Sequence, residues 1–236
     1  LINGNQTCLL FLYYIITNRK KLGKMKGNEF IVKTIVTTEV IRQIAEKNNI
    51  EMRDCYTGFK WIAREIRLSE GVKQYIGGGE ESFVWLGFDG VRDKCSPSAI
   101  CLICEIAAAA KDQGMSLYEY LINIYNEFGF QRETTINVVR PGKTGAEEIQ
   151  AMMVTYRETP PQEIAGEKVV RIKDFKTLKQ CEWKDGKWVE SAFEMPLNAT
   201  SNVLQYFTEG GLKVSVRPSG TEPKIKFYFE IPVQTQ

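Results

Sequence analysis

The sequence predicts an α/β unit over residues 1–128 followed by an α+β unit over residues 129–236. In the first stretch, helix-period runs alternate with short strand-like runs, an order that gives a partly parallel sheet with helices packed on it. In the second, strand-period runs follow one another and can pair locally, with helices on one face. Between them Gly129 to Gly145, containing Pro141-Gly142, has the turn chemistry of a crossover.

Taken in order, residues 5–20 read as a helix and Glu29 to Val36 as a strand. Thr37-Thr38 caps a helix over 39–48, whose apolar face carries Val40, Ile41, Ile44 and Ala45. Short strands follow near 51–55 and 72–76. A helix from Ser98 to Lys111 stops at Gln113-Gly114, and Ser116 to Glu119 is a capping box opening a helix to about Glu127. The second unit carries a strand near 133–139 and a helix over 146–157 ended by Pro160-Pro161. Strands near 167–173 and 187–193 come next, then a helix over 201–209 closed by Gly210. Two strands of period two end the chain: Leu212, Val214 and Val216 alternate with polar residues, and so do Ile225, Phe227, Phe229 and Ile231.

Composition narrows the function. With 43% hydrophobic and 25% charged residues the chain reads as soluble and globular. A net charge of +2, without a basic stripe of interleaved aromatics, argues against a nucleic-acid partner. The apolar run Cys8–Ile16 is far shorter than the roughly 20 residues of a membrane span, so a buried helix and no membrane partner are expected. It also lacks the flanks of a signal peptide, and six scattered cysteines suit a reducing cytoplasm. The absence of histidine excludes Ser-His-Asp and Cys-His catalysis and any histidine-ligated metal. Cys101 and Cys104, alone in an apolar helix, are expected to be buried small hydrophobes rather than a zinc pair.

The strongest chemical signal is Arg217-Pro-Ser-Gly-Thr-Glu-Pro223 between the last two strands. A guanidinium, the hydroxyls of Ser219 and Thr221 and the unhindered N–H of Gly220 can together surround a phosphate. Each such charge-assisted bond contributes roughly 1.5–3 kcal/mol. An ordinary strand–turn–strand connection uses the same residue types, so the residues alone leave both readings open. Gly77-Gly-Gly-Glu-Glu-Ser82 reads as a flexible, acceptor-rich loop suited to hydroxylated ligands, or as an exposed acidic turn. Lys33 sits in an otherwise apolar strand and needs an anionic partner or an exit to solvent.

Arg217 to Lys224 resembles the phosphate-binding loop of the α-D-phosphohexomutases, the phosphoglucomutase and phosphomannomutase superfamily. The resemblance implies that Arg217, Ser219, Gly220 and Thr221 hold the phosphate that is not being transferred. Gly79-Glu80-Glu81-Ser82 is similar to the family's sugar-recognition loop, which makes Glu80 and Ser82 ligands of the ring hydroxyls. Val91-Arg92-Asp93-Lys94 resembles the segment that sets a lysine beside the transferring phosphate, giving Lys94 an acid–base or electrostatic role and Arg92 a possible substrate contact. A salt bridge at a helix start is the competing reading. Lys33-Thr34 and Thr57-Gly58-Phe59-Lys60 resemble segments that reach the substrate from two edges, although Lys60 reads equally as a surface residue. Val84, Phe88 and Gly90 depart from the family's Gly, Gly and bulky residue, and Cys95 stands where Asp is usual.

The family has four domains, and the resemblance covers the third, a mixed-sheet α/β/α domain, and the fourth, a TATA-binding-protein-like α+β domain. It implies an intramolecular phosphotransferase interconverting hexose 1-phosphate and hexose 6-phosphate, glucose first and mannose next, through a phosphoserine and glucose 1,6-bisphosphate. The phosphoserine loop and the Asp-rich loop that holds Mg²⁺ belong to domains I and II, and neither motif occurs here. The opening Leu-Ile-Asn-Gly, without Met, reads as cut from something longer, so the chain alone is expected to be inactive. A phosphopentomutase, a phosphoglucosamine mutase and a non-catalytic phosphosugar-binding protein stay open as alternatives.

Overall fold

The computed structural model describes residues 1–195, 199–220 and 222–233, and divides the chain into two compact units, Leu1–Phe130 and Gln131–Gln236.

The first unit opens on α1 (Gly4–Lys21). Asn3 Oδ1 accepts the Gln6 N–H and Gln6 Oε1 accepts the Asn3 N–H, both at 2.9 Å, so two otherwise orphaned donors are satisfied at the helix start. Leu9, Leu10, Phe11 and Leu12 are all buried, which makes α1 a core helix rather than a surface one. Among the described residues no helix is long and apolar enough to cross a membrane.

Then come β1 (Glu29–Thr34), α2 (Val40–Lys47), β2 (Glu51–Cys55), α3 (Phe59–Leu68), β3 (Gln74–Glu80) and β4 (Val84–Leu86), with α4 (Ser96–Asp112) and α5 (Leu117–Phe128) after them. The sheet order is β2-β1-β3-β4; β1 runs parallel to β2 and β3, and β4 is antiparallel to β3. Every residue of β1 is buried, as a central strand covered on both faces requires. The crossovers β1–α2–β2 and β2–α3–β3 run in opposite directions, so a common right hand puts their helices on opposite faces. Accordingly Ile41 and Ile44 pack with α1 against Ile31, whereas Ile62 and Ile66 pack against Phe30 and Val32. The result is three layers, α/β/α.

Several expectations change here. The Gly77–Gly79 run is not a flexible loop but buried strand, for reasons of packing given below. The helix α3 was not expected, although its Phe59, Ile62 and Ile66 follow a helical period. Cys101 and Cys104 are exposed, not buried, because α4 turns Ile106 and Ala110 toward the core instead. Glu39 occupies the N-cap position of α2 but makes no side-chain cap bond, and it is Thr38 Oγ1 that accepts the Val40 N–H, at 3.4 Å.

The second unit contains β5 (Phe130–Val139), α6 (Gly142–Glu158), β6 (Glu163–Ile164), β7 (Glu167–Asp174), β8 (Lys179–Lys184), β9 (Lys187–Ala192), β10 (Leu204–Thr208), β11 (Lys213–Pro218) and β12 (Lys224–Val233). The sheet runs β5-β12-β11-β10-β7-β8-β9, with β6 paired to β7. One face is closed by α6, whose Ile149 and Met153 pack on Val169, Leu204, Tyr206, Val214 and Ile225. The expected helix over 201–209 is strand β10, central in this sheet. Burial of Leu204 and Tyr206 under α6 and pairing on both edges outweigh local helical preference. Gly211, at φ +87°, closes the turn into β11. The unexpected β8 joins β9 through Asp185-Gly186, both at positive φ, a hairpin turn visible in the sequence as Asp-Gly.

Candidate functional site

In the first unit, the strand order β2-β1-β3 makes the carboxyl ends of β1 and β3 a topological switch point, the place where open α/β sheets leave a crevice for ligands. Thr57-Gly58, Glu80 and Lys33 all stand at that edge: Lys33 pairs with Asp54 of β2 on one side and Gly79 of β3 on the other. The Glu80 carboxylate accepts the Gly58 N–H, tying the end of β3 to the loop that starts α3. Gly58 holds φ +113°, a left-handed conformation that favours glycine. Two segments 22 residues apart in sequence, both expected to read the sugar, therefore meet.

Gly77 and Gly79 admit the Trp85 ring onto one face of β3. A Cβ at Gly77 would lie 2.8 Å from the ring, and one at Gly79 would lie 2.8 Å from Cys8 Sγ. On the other face, a Cβ at Gly78 would stand 2.2 Å from the Val32 carbonyl oxygen. Beyond Glu80, the turn Glu81–Phe83 rests on the start of α1, where a Cβ at Gly4 would fall 1.9 Å from the Glu81 carbonyl oxygen. Ser82 is exposed on that turn, and Phe83 beside it holds φ +63°, a strained conformation for a bulky residue.

Lys33 is 0% exposed and finds the anions that its strand position demands: Glu39 Oε1 and Asp54 Oδ1, each at 2.9 Å from Nζ. It also donates to the Thr37 carbonyl at 3.2 Å, and Arg42 bridges the same two carboxylates from outside. Burial would drive the ammonium toward neutrality, but the Asp54 and Glu39 charges outweigh it and hold its pKa above the ordinary value. Lys33 thus braces the loop after β1, and its charge is spent inside the protein.

The segment 89–95 lies between β4 and α4. Lys94 is exposed, pairs with Asp93 at 3.0 Å and stands 5.8 Å from the centre of the Phe59 ring, at the same end of α3 as Gly58. Its N–H and ammonium hold the Asp93 carboxyl below its usual range. Arg92 goes elsewhere: it donates to the Asp89 carbonyl and pairs with Glu70, past the far end of α3. Lys60 is exposed, with Nζ 5.3 Å from the centre of the Trp61 ring.

In the second unit, Arg217 lies at the end of β11 opposite Lys226 of β12. Like charges directly across a ladder repel, so this pair is suited to an anion between them. Among the described residues the Arg217 guanidinium has no ion-pair partner. The turn is braced from within: the Ser219 N–H donates to the Lys224 carbonyl at 2.8 Å, and Lys224 pairs with Glu222. Arg140 N–H donates to the Pro223 carbonyl at 2.9 Å, which brings the start of α6, two residues on, alongside the loop with its favourable dipole for anions. Gly220 is exposed, and a Cβ there would meet nothing within 4 Å. Thr221 lies outside the described residues. Lys226, Glu39, Asp54 and Gly4 were not singled out from the sequence; only the need of Lys33 for an anion pointed toward two of them.

The chain thus combines a three-layer α/β unit, whose sheet has its switch point between β1 and β3, with an α+β unit that carries Arg217 opposite Lys226 at the end of β11. Residues 3–128 match the family described as phosphoglucomutase/phosphomannomutase, alpha/beta/alpha domain III, and residues 136–236 match its C-terminal domain. The chain belongs to the phosphoglucomutase/phosphomannomutase family. A phosphoglucomutase of Staphylococcus aureus (strain bovine RF122 / ET3-1) is 35% identical over 229 residues, covering 97% of this chain and 40% of that protein. One of Staphylococcus haemolyticus (strain JCSC1435) is 30% identical over 230 residues, covering 98% and 40%. The chain therefore spans about 40% of the length of these relatives. Among solved structures, the open form of the phosphoglucomutase parafusin from Paramecium superposes with a TM-score of 0.63 at 19% identity, covering 100% of this chain and 38% of that one. A phosphoglucomutase/phosphomannomutase family protein from Burkholderia thailandensis gives 0.51 at 15%, covering 99% and 38%. Those two likenesses establish the shared fold.

Proposed function

We propose that this chain is the substrate-holding part of a phosphohexomutase that interconverts hexose 1-phosphate and hexose 6-phosphate, with glucose phosphate as first substrate. In this reading residues 1–128 read the sugar and residues 129–236 clamp the phosphate that is not in transit. Glu80, held by Gly58, and the exposed Ser82 on its turn accept from and donate to ring hydroxyls, with Thr57 beside them. Arg217, Ser219 and the open N–H of Gly220 take the phosphate, with Thr221 and Lys226 adding to the clamp. Lys94 offers its ammonium to the developing charge of the transferring phosphate. Lys33 supports the edge from below, and Arg92 and Lys60 lie farther out. The observation that carries the reading is the Glu80–Gly58 contact at the switch point, because it joins two segments that the family resemblance assigns to the substrate.

The phosphoryl transfer itself needs a phosphoserine and a metal. Among the described residues no cluster of three or more acidic or cysteine side chains could hold a metal ion, so the residues present do not fit Mg²⁺. In this reading the chain alone binds without turning over, and the cytoplasm is its proposed site of action. Thermal-shift titrations with glucose 1-phosphate and glucose 1,6-bisphosphate test this. At about 100 times its dissociation constant the ligand stabilises the fold by roughly 2.7 kcal/mol. Saturable stabilisation that Arg217→Ala removes is expected; stabilisation that survives Arg217→Ala overturns the assignment of the clamp.

A further inference from the structure

We propose that the cavity between α1, the start of β3 and the segment joining β4 to α4 is a second binding site, for a small aromatic carboxylate. Its volume is about 440 Å³, inside the roughly 300–1,000 Å³ of small-molecule sites. Tyr14 and Ile15 of α1, Phe88 and Leu102 give it an apolar side, and Asn18, Lys24 and Ser98 are among the polar residues that line the rest.

Three of the lining side chains carry a buried atom without a hydrogen-bond partner: Arg19 Nε, Gln74 Oε1 and Trp85 Nε1. Buried polar atoms are nearly always paired, so three from three elements around one cavity call for an explanation. Two of them are N–H donors, which require acceptor oxygens. Arg19 forms no ion pair among the described residues, and the nearby Glu29 carboxylate is already taken by the Lys26 and Gly27 N–H groups. An anionic acceptor therefore fits beside Arg19, with Lys24 a second cation in the lining, whereas Asp89 and Glu105 would repel it where they line the cavity. The Gln74 amide, whose O and N can exchange by a flip, serves a ring hydroxyl or ring N–H.

Gly87 is what leaves the indole N–H room. A Cβ there would lie 2.8 Å from Trp85 Nε1, so any side chain would fill the space beside it. Phe88, in the same wall, is one of the positions at which this segment departs from the family pattern. The cavity lies at the opposite end of β3 from Glu80, and the inference does not rest on the proposed phosphosugar reading.

Nitrogen-15 spectra of the indole N–H groups test it, with the Trp85 signal assigned from Trp85→Phe and Trp61 as an internal check on the fold. On titration with indole-3-acetate the Trp85 signal shifts saturably. Tryptophol, the same ring without the carboxylate, and the Arg19→Gln variant bind about tenfold more weakly. Gly87→Ala abolishes the shift while the Trp61 signal stays in place. A Trp85 signal that does not move overturns the site, as does undiminished binding by Gly87→Ala. Equal affinity for tryptophol and indole-3-acetate overturns the ligand class.

Discussion

Glycine occurs at both candidate binding segments, and for opposite reasons. In β3 the Gly77–Gly79 run is buried, and a methyl group on any of the three would strike the Trp85 ring, the Val32 carbonyl or the Val84 carbonyl. In the loop after β11, a methyl group on Gly220 would touch nothing among the described residues. The first run exists so that the protein can close on itself, which sets Glu80 firmly at the end of a rigid strand. The second leaves its backbone uncovered, as the proposed phosphate clamp requires. A glycine-rich motif is thus either scaffold or aperture, and only its surroundings say which.

Substitutions separate the two most directly. Gly78→Ala is expected to cost the first unit at least about 3 kcal/mol, because the strand must part from β1. Urea unfolding measures it; a loss under about 1 kcal/mol would mean that β3 yields and is no rigid platform. Next in size is Lys33→Met, which leaves Glu39 and Asp54 facing each other with only Arg42 between them. A loss of about 2–3 kcal/mol follows, reduced below the bare buried-pair value because both carboxylates are partly exposed. Combining it with Glu39→Gln should cost less than the two changes added separately.

A smaller, pH-dependent effect belongs to Glu29. Burial alone would raise its carboxyl, but N–H bonds from Lys26 and Gly27, with the Arg19 charge, hold it below the ordinary 4.5. A depressed folded-state value stabilises above the unfolded value and loses that contribution as pH falls through the folded one. Melting curves below pH 4.5 should therefore fall less steeply for Glu29→Gln than for the parent chain. Smallest of all on the fold is Gly220→Ala, within about 0.5 kcal/mol, although it should weaken glucose 1-phosphate binding. A Gly220→Ala chain that melted early would erase the contrast between scaffold and aperture.

Much of this was legible in the sequence. The capping box at Ser116–Glu119, the apolar face of α2 and the strand period of β11 and β12 are local signals, and the elements formed where those residues said. What local pattern could not supply was tertiary competition. Ser201 to Glu209 has no strand signal strong enough to announce that β10 lies between two partners under α6. The buried glycine run looked like a loop because the ring that fills its missing side chains arrives from β4. At the candidate site, the need of Lys33 for an anion was readable from one apolar strand. Which carboxylates answer it depended on register, Lys33 against Asp54. Likewise Lys226 became visible only once the ladder set it opposite Arg217.

The cluster around Lys33 joins two cations and two anions, Lys33 and Arg42 with Glu39 and Asp54, from β1, α2 and β2 and the loop between. Their formal charges cancel, so removing any one member leaves a surplus charge. A lineage that loses one member is left with a surplus charge and gains from losing an opposite one soon after. Relatives should therefore carry either the whole quartet or a neutral remnant of it, with single-member losses short-lived in descent.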